Sequence, residues 1–335
     1  MSSSGPLVTA IAVCYNHERF VRECLESIRQ QTYQRLQLIV IDDCSSDRSV
    51  RIIRQWVSYT GVDCLLIPHT QNVGICRALN EGLRHAKGEY ISVISTDDVW
   101  MLDKTERQVR LLENARENVG VVYSDALRMD EAGRTVSGMF IESHRKFPSM
   151  PHGNVFDVLM WGNFIPAMTT LTKKKCFEAV GWYDERLAYE DWDMWLRIAQ
   201  RFQFVFSPSV SAKYRIVPTS LMRSLLADRR AELAASEVQI RVKVLAAIRS
   251  DPDRYRAMHS TVMAWAEELY RLKHPDRVRW LWGAMLQARS LQMVLHRKAP
   301  LMGVCCALRM PYRVFRLLDQ LVGLVWRLLG PTGRR

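Results

Sequence analysis

Short apolar runs alternate with amphipathic segments through the first 125 residues of the chain. Predicted strands cover residues 7–14, 36–41, 64–68, 89–95 and 119–125, and predicted helices start near Glu18, Asp47, Ile75 and Asp103. The strand runs are mostly apolar rather than alternating with period two, which is typical of a parallel sheet covered by helices on both faces. The pattern therefore predicts an α/β fold with a mostly parallel, Rossmann-like sheet.

Pairs of aspartates follow two of these strands. Asp42 and Asp43 end the second strand, and Asp97 and Asp98 follow the fourth. Ligands of such sheets bind beyond the carboxyl ends of the strands, so both pairs are expected at one crevice. Adjacent carboxylates repel each other unless a cation is near, and Mg²⁺ or Mn²⁺ binds one or two carboxylates together with phosphate oxygens. The pairs predict a site for a metal-bound diphosphate, although a helix cap beside a solvated neighbour is the alternative for each.

Three segments carry a resemblance to a known family. They are "VTAIAVCYNHERFVRECLESIRQQTYQRLQLIVIDDCSSDRS", "NVGICRALNEGLRHAKGEYISVISTDD" and "YEDWDMWLRI". Their order and spacing resemble the inverting family 2 glycosyltransferases of the GT-A fold, over about residues 7–215. The resemblance implies a GT-A domain over 1–225 that binds a nucleotide-diphosphate sugar.

The resemblance also implies roles in donor binding. Tyr15 and Asn16 stand where the family places the nucleotide base, and Asp43 resembles the aspartate that bonds the base edge. Arg77 stands where a basic residue can approach the nucleotide, and Asp97 resembles the acid beside the ribose. Core packing is the alternative for Tyr15.

Two further carboxylates resemble the family's reactive groups. Asp98 resembles the metal ligand and Asp191 the catalytic base that takes the proton of the acceptor hydroxyl. The alternative for Asp191 is a first-turn acid that complements a helix dipole. One position departs from the family: many relatives carry a His after a Tyr-Arg pair, where this chain has Val217.

Positive charge is concentrated after residue 225. The net formal charge is +12, and residues 226–335 hold 20 Lys and Arg against 9 Asp and Glu. This part reads as all-helical, with segments over about 228–249, 253–273, 276–297 and 302–329. We assign a helical region to 226–300 and an amphipathic basic helix to 301–335.

The last predicted helix bears a stripe of arginines opposite a wide apolar face. Arg309, Arg313, Arg316 and Arg327 fall in one sector at 100° per residue. Such a helix suits an anionic membrane interface, and packing against protein is the alternative. No nucleic-acid partner is expected, since no zinc finger, helix-turn-helix or RNP-type strand accompanies the charge.

These observations predict a metal-dependent, inverting hexosyltransferase. Its acceptor is expected to be a glycan or lipid-linked glycan of a bacterial-type cell-surface polysaccharide or lipopolysaccharide. The eight cysteines lack CxxC spacing, and no uncharged apolar run reaches 18 residues. We therefore expect a cytoplasmic protein, peripheral on the inner face of the plasma membrane. A non-catalytic scaffold and a sugar-phosphate nucleotidyltransferase are the alternatives, although the latter would carry a Gly-rich basic loop after the first strand.

Overall fold

The structure is a computed structural model that describes residues 5–218, 220–272, 310 and 312–329, with side chains in the last segment as far as residue 320. Contacts divide the chain into two units, Met1–Ser220 and Leu221–Arg335. Each unit is described by itself below.

The first unit contains nine described strands and eight α-helices. The strands are β1 (Val8–Cys14), β2 (Leu36–Asp42), β3 (Cys64–Pro68), β4 (Tyr90–Ser95), β5 (Val99–Trp100), β6 (Val119–Met129), β7 (Thr135–Met139), β8 (Leu171–Lys173) and β9 (Gln203–Arg215). The helices are α1 (Val21–Arg29), α2 (Ser49–Thr60), α3 (Ile75–His85), α4 (Lys104–Glu113), α5 (Phe140–His144), α6 (Phe156–Leu159), α7 (Lys174–Val180) and α8 (Asp191–Ala199).

All nine strands join one sheet, in the order β3-β2-β1-β4-β8-β6-β9-β5, with β7 paired to β6. The first four strands in this order are parallel. Cys14 lies opposite Asp42, and Val13 lies opposite Ser95, so β1, β2 and β4 end almost level. The residues that follow these three strands therefore meet at one edge of the sheet, as the sequence predicts.

Buried apolar side chains explain why the helices lie where they do. Every residue of β1 is buried, and α1 packs Cys24, Leu25 and Ile28 into the same core cluster. Helix α3 approaches the sheet closely at Gly82, where an added Cβ would lie 2.6 Å from Ile11 Cγ2. Helix α3 is thereby packed closely against β1 and β2.

The region after β5 differs from the prediction. The strand predicted over 119–125 continues to Met129, and β7, α5 and α6, for which no element was predicted, follow it. Strand β9 was not predicted. It contains an exposed Pro208 and several polar residues, and its pairing with β6 is irregular between Ser124 and Ala126. Proline and polar positions of this kind hide a strand from pattern analysis.

The second unit is helical where it is described, with α9 (Leu221–Ala227), α10 (Arg230–Ala247), α11 (Pro252–Arg271) and α12 (Tyr312–Leu329). Helix α11 begins at Pro252, one residue before the predicted segment 253–273, and the Asp251 carboxylate caps it by accepting the Arg254 N–H at 3.0 Å. Helix α9 was not predicted. The helix predicted over 276–297 and the start of the one predicted over 302–329 lie outside the described residues.

The first half of α12 packs on α11. Phe315 is buried against the Tyr270 ring, with centroids 5.6 Å apart, and Arg316 pairs with Glu267 at 3.1 Å. Part of the apolar face of α12 is therefore covered by protein. This is the packing that we gave above as the alternative to membrane binding. Among the described helices, none has the length and apolar character needed to cross a bilayer.

Candidate active site

The loops after β1 and β2 are tied together by polar side chains. The Asn16 amide oxygen accepts the Ser46 N–H at 2.8 Å, and Asn16 itself adopts a left-handed φ of 57°. Asp42 accepts the N–H and hydroxyl of Ser45 at 2.8 and 2.6 Å. Tyr15 is 48% exposed and makes no hydrogen bond to the part of the chain that is described. Asn16 and Asp42 thus shape the loop, and the Tyr15 ring is open to a ligand.

Asp43 lies at the N-terminal side of α3. Its carboxylate accepts the N–H groups of Val73 and Gly74 at 2.8 and 2.9 Å, and the His69 Nδ1 lies 2.9 Å from its Oδ1. The other ring nitrogen of His69 lies 3.1 Å from Glu81 Oε2. Three donors thus fix the orientation of Asp43. A carboxylate has about four acceptor positions, so one remains for a ligand.

The second acid pair is held by Arg215 at the end of β9. Asp98 Oδ1 accepts the Arg215 backbone N–H at 2.8 Å, and the Asp97 carbonyl accepts the guanidinium Nε–H at 2.8 Å. The guanidinium reaches neither carboxylate and instead donates to Glu23 at 2.5 Å. Burial, followed by the neighbouring charge of Asp97, raises the pKa of Asp98 well above its usual range, and the Arg215 contacts only partly offset this. In the described part of the chain no Lys or Arg side chain bonds either carboxylate of the pair, and the His17 Nε2 lies 3.9 Å from Asp97 Oδ2.

Unused oxygens of this pair fit a divalent cation. Asp97 Oδ1 is buried and has no hydrogen-bond partner. No donor within the described residues reaches Asp98 Oδ2. No cluster of three or more His, Cys, Asp or Glu suited to a metal occurs in the described part of the chain, so ligand oxygens would have to complete the coordination. Mg²⁺ and Mn²⁺ bound with a diphosphate meet that requirement, because one or two carboxylates suffice there.

Asp191 begins α8 and is half-buried. The Asn163 amide donates to its Oδ2 at 2.7 Å, and the Trp192 N–H donates to its Oδ1 at 2.6 Å. Burial raises the pKa of Asp191 above its usual range, whereas these two hydrogen bonds act in the opposite direction. Burial and the charge of Asp191 also raise the pKa of Glu190. A carboxylate held in this way is suited to accept a proton near neutral pH.

One stretch of chain connects Asp191 to the acid pair. Asn163, which donates to Asp191, leads directly to Met168, whose carbonyl accepts the Trp100 Nε1–H at 3.0 Å. Trp100 is the second residue of β5, the strand that begins directly after Asp98. The segment 163–168 therefore contacts Asp191 at its first residue and the strand that follows the acid pair at its last residue.

Arg77 stands in the first turns of α3. Its Nε donates to Glu185 Oε2 at 3.0 Å, and both side chains are largely exposed. The Asn80 amide on the next turn of α3 donates to the Tyr183 carbonyl and to Glu185. Arg77 therefore contacts the loop that leads to Asp191.

Three residues at the site, Arg215, His69 and Asn163, were not predicted from the sequence. Arg215 belongs to the Tyr-Arg pair that the resemblance drew attention to, so a signal was present. His69 and Asn163 follow no recognisable motif, and only the tertiary structure shows what they contact. Val217 is buried, which is consistent with an apolar side chain where many relatives carry His.

Comparisons with known proteins agree with this geometry. The family described as "Glycosyl transferase family 2" matches residues 9–158. A putative glycosyltransferase of Bacillus subtilis, EpsE, is 31% identical over 198 residues, which cover 58% of this chain and 67% of EpsE. An uncharacterised glycosyltransferase of Rickettsia typhi is 29% identical over 63% of this chain and 64% of its own length. The match covers only 34% of a relative from Rickettsia felis.

Solved structures show the same fold. A mannosyltransferase of Pyrobaculum calidifontis, in complex with GDP-Man and Mn²⁺, superposes with a TM-score of 0.55 at 21% identity, over 98% of this chain and 88% of that one. TarS of S. aureus in complex with UDP-GlcNAc superposes with a TM-score of 0.63 at 14% identity, over 96% and 92%. The expected GT-A fold is thus confirmed. From its motifs, its fold and its relatives, the chain belongs to the family 2 glycosyltransferases.

Proposed function

We propose that the protein is a metal-dependent, inverting glycosyltransferase that moves a hexose from a nucleotide-diphosphate sugar to a glycan hydroxyl. One observation carries this proposal: the buried pair Asp97–Asp98 keeps an unpartnered oxygen at the ligand-binding edge of the sheet. Natural proteins rarely leave a buried carboxylate oxygen unpaired unless a ligand or ion completes it.

On the donor side, Tyr15, Asn16 and Asp43 form the proposed base pocket, with Arg77 near the nucleotide and Asp97 beside the ribose. The open face of Tyr15 and the one acceptor position left on Asp43 support this assignment. Two structurally similar proteins were solved with GDP-Man and with UDP-GlcNAc, which supports a nucleotide-diphosphate sugar without selecting the base.

Asp98, supported by Asp97, would hold Mg²⁺ or Mn²⁺ through the oxygens that Arg215 does not use. When bound, the cation would neutralise charge on the leaving diphosphate. The Mn²⁺ in the similar mannosyltransferase supports a divalent metal. Arg215 fixes Asp98 Oδ1 toward β9, which leaves Asp98 Oδ2 without a donor among the described residues.

Asp191 is the proposed general base. Asn163 and the Trp192 N–H hold its carboxylate in one orientation, and its raised pKa strengthens it as a proton acceptor. The acceptor hydroxyl would lose its proton to Asp191 as it attacks the anomeric carbon. Attack opposite the leaving nucleotide inverts that centre and requires no second carboxylate as a nucleophile.

The acceptor is proposed to be a glycan or lipid-linked glycan in the assembly of a cell-surface polysaccharide or lipopolysaccharide. We propose a peripheral site of action on the cytoplasmic face of the membrane. The basic composition of residues 226–335 supports attraction to an anionic surface. The division into a catalytic domain, 1–225, a helical region, 226–300, and a basic segment, 301–335, is part of this proposal.

Thermal unfolding with nucleotides tests the donor site. The full chain is heated with UDP, GDP, dTDP or CDP, each with and without Mn²⁺, since a ligand that binds only the native state raises the melting temperature. We expect a metal-dependent rise with one nucleotide, absent in Asp98→Ala and retained in Asp103→Ala, which changes a half-exposed acid nearby that pairs with Arg107. No rise with any nucleotide would favour a non-catalytic scaffold.

A further inference from the structure

Arg215 is a fully buried cation beside the acid pair. Its guanidinium donates to three backbone carbonyls, those of Asp97, Asp130 and Glu131, at 2.8, 3.2 and 3.4 Å. Among the carboxylates in the described part of the chain, the guanidinium bonds that of Glu23, at 2.5 Å. Asp98 Oδ1 accepts the Arg215 backbone N–H and the Asp97 carbonyl accepts its Nε–H, but the guanidinium bonds neither the Asp97 nor the Asp98 carboxylate.

Glu23 explains this arrangement. It projects from the first turn of α1 toward Arg215 and is about half exposed on its other side. Gly133 lies beside both groups: a Cβ added there would be 3.8 Å from Arg215 Nη1 and 3.9 Å from Glu23 Oε1. The Phe20 ring covers the guanidinium at 4.7 Å. Glu23, Phe20 and the turn at Gly133 together hold the guanidinium away from the acid pair.

Other charges near Arg215 are already balanced. Arg19 lies on the same Phe20 ring, 5.1 Å from its centroid, and pairs with Glu131. Glu23 is therefore the carboxylate that balances Arg215 among the described residues. Its removal would leave one uncompensated positive charge next to Asp97 and Asp98.

We propose that Glu23 is a positioning residue that keeps Arg215 from neutralising Asp97 and Asp98, so that their charge remains available to the divalent cation that binds with the donor diphosphate. This inference rests on the proposed function. Glu23 touches neither donor nor cation and acts through Arg215 alone. With a neutral side chain at position 23, the charge of Arg215 is free to compete with the cation for the two carboxylates.

The test compares Glu23→Gln with a matched control on the same helix. Glu26 lies one turn further along α1, and it also pairs with an arginine, Arg29. The Glu26→Gln variant therefore removes the same charge from α1 without touching Arg215. Glu23→Asp keeps the charge and tests for rescue, and melting temperatures confirm that each full-length variant is folded.

Binding of Mn²⁺ in the presence of UDP or GDP is measured from the electron paramagnetic resonance signal of free Mn²⁺. For Glu23→Gln we expect affinity to fall by about threefold to tenfold, the effect of a partly screened unit charge near a bound cation. Glu26→Gln should bind as the unsubstituted chain does, and Glu23→Asp should recover at least part of the loss. In sugar transfer, the Mn²⁺ concentration for half-maximal rate should rise while the rate at saturating Mn²⁺ changes less.

Unchanged Mn²⁺ affinity in Glu23→Gln would overturn this inference alone. An equal loss in Glu26→Gln would also overturn it, because the effect would then come from the general charge of α1. Failure of the unsubstituted chain to bind Mn²⁺ with either nucleotide would overturn the inference together with the proposed metal site.

Discussion

Replacing Asp98 by Asn should make the protein more stable when neither metal nor nucleotide is present. The change removes one of two adjacent buried carboxyl groups after β4, and burial together with the Asp97 charge raises the pKa of this one well above its usual range. The Oδ1 of an Asn at this position can still accept the Arg215 N–H. The native contacts are thus kept while the repulsion is lost.

The size of the effect follows from Coulomb's law. Two ionised groups roughly 6 Å apart repel by about 3 kcal/mol at an effective dielectric constant of about 20, and protonation of Asp98, whose pKa is raised, relieves part of this repulsion. The nearby positive charge of Arg215 offsets part of this, so we expect the free energy of unfolding to rise by about 1–2 kcal/mol. For a unit of roughly 200 residues this corresponds to a melting temperature higher by about 2–8 °C.

Asp42→Asn is the matched control, because Asp42 belongs to the other acid pair but accepts two hydrogen bonds from Ser45. That variant should be destabilised. With Mn²⁺ and the nucleotide that binds, the unsubstituted chain should become more stable than Asp98→Asn, because of these two only the unsubstituted chain gains stability from the ligand. A melting temperature of ligand-free Asp98→Asn at or below that of the unsubstituted chain would refute the reasoning.

Three other substitutions test the remaining parts of the account. Asp191→Asn should lower the rate of sugar transfer by roughly 10²- to 10⁴-fold with nucleotide binding intact, and a smaller loss would exclude a general base. Transfer by the unsubstituted chain should slow as pH falls through the raised pKa of Asp191. Asn163 lowers this pKa, so Asn163→Ala should shift the acidic side of the pH–rate profile to higher pH. A pH–rate profile that does not shift would contradict this. Burial lowers the pKa of Lys104 well below its usual range, so a charged Lys104 destabilises the native state. As pH falls from 9, Lys104→Met should therefore gain stability relative to the unsubstituted chain. The free energies of unfolding of the two chains are compared in denaturant, and a difference that does not depend on pH would refute this prediction.

The sequence predicted the parallel half of the sheet well, because local signals and tertiary structure agree there. In β1 and β4 the apolar runs coincide with burial on both faces, and the acid pairs fall where the strands end. The second half of the sheet could not be predicted in the same way. Strand β9 pairs with β6 across an irregular register, and its polar residues look like a loop when read alone.

The candidate site shows the same division. Asp98 and Asp191 lie in recognisable motifs, so their chemistry could be predicted from residue type and position. The contacts of Arg215 with Asp98 and Glu23 span 117 and 192 residues of sequence, and those of Asn163 with Asp191 span 28. No local pattern encodes such contacts, and they decide which carboxylate oxygens remain open.

The configuration of the transferred sugar tests the central claim most directly. Once the nucleotide panel has identified the base, the full chain is incubated with nucleotide sugars of that base, Mn²⁺ and simple glycoside acceptors, and the anomeric proton of the product is followed by NMR. The account predicts a product with the opposite anomeric configuration to the donor, formed by the unsubstituted chain and lost in Asp191→Asn. A product that retains the donor configuration would contradict it, because retention requires a second nucleophile that the proposed mechanism does not contain.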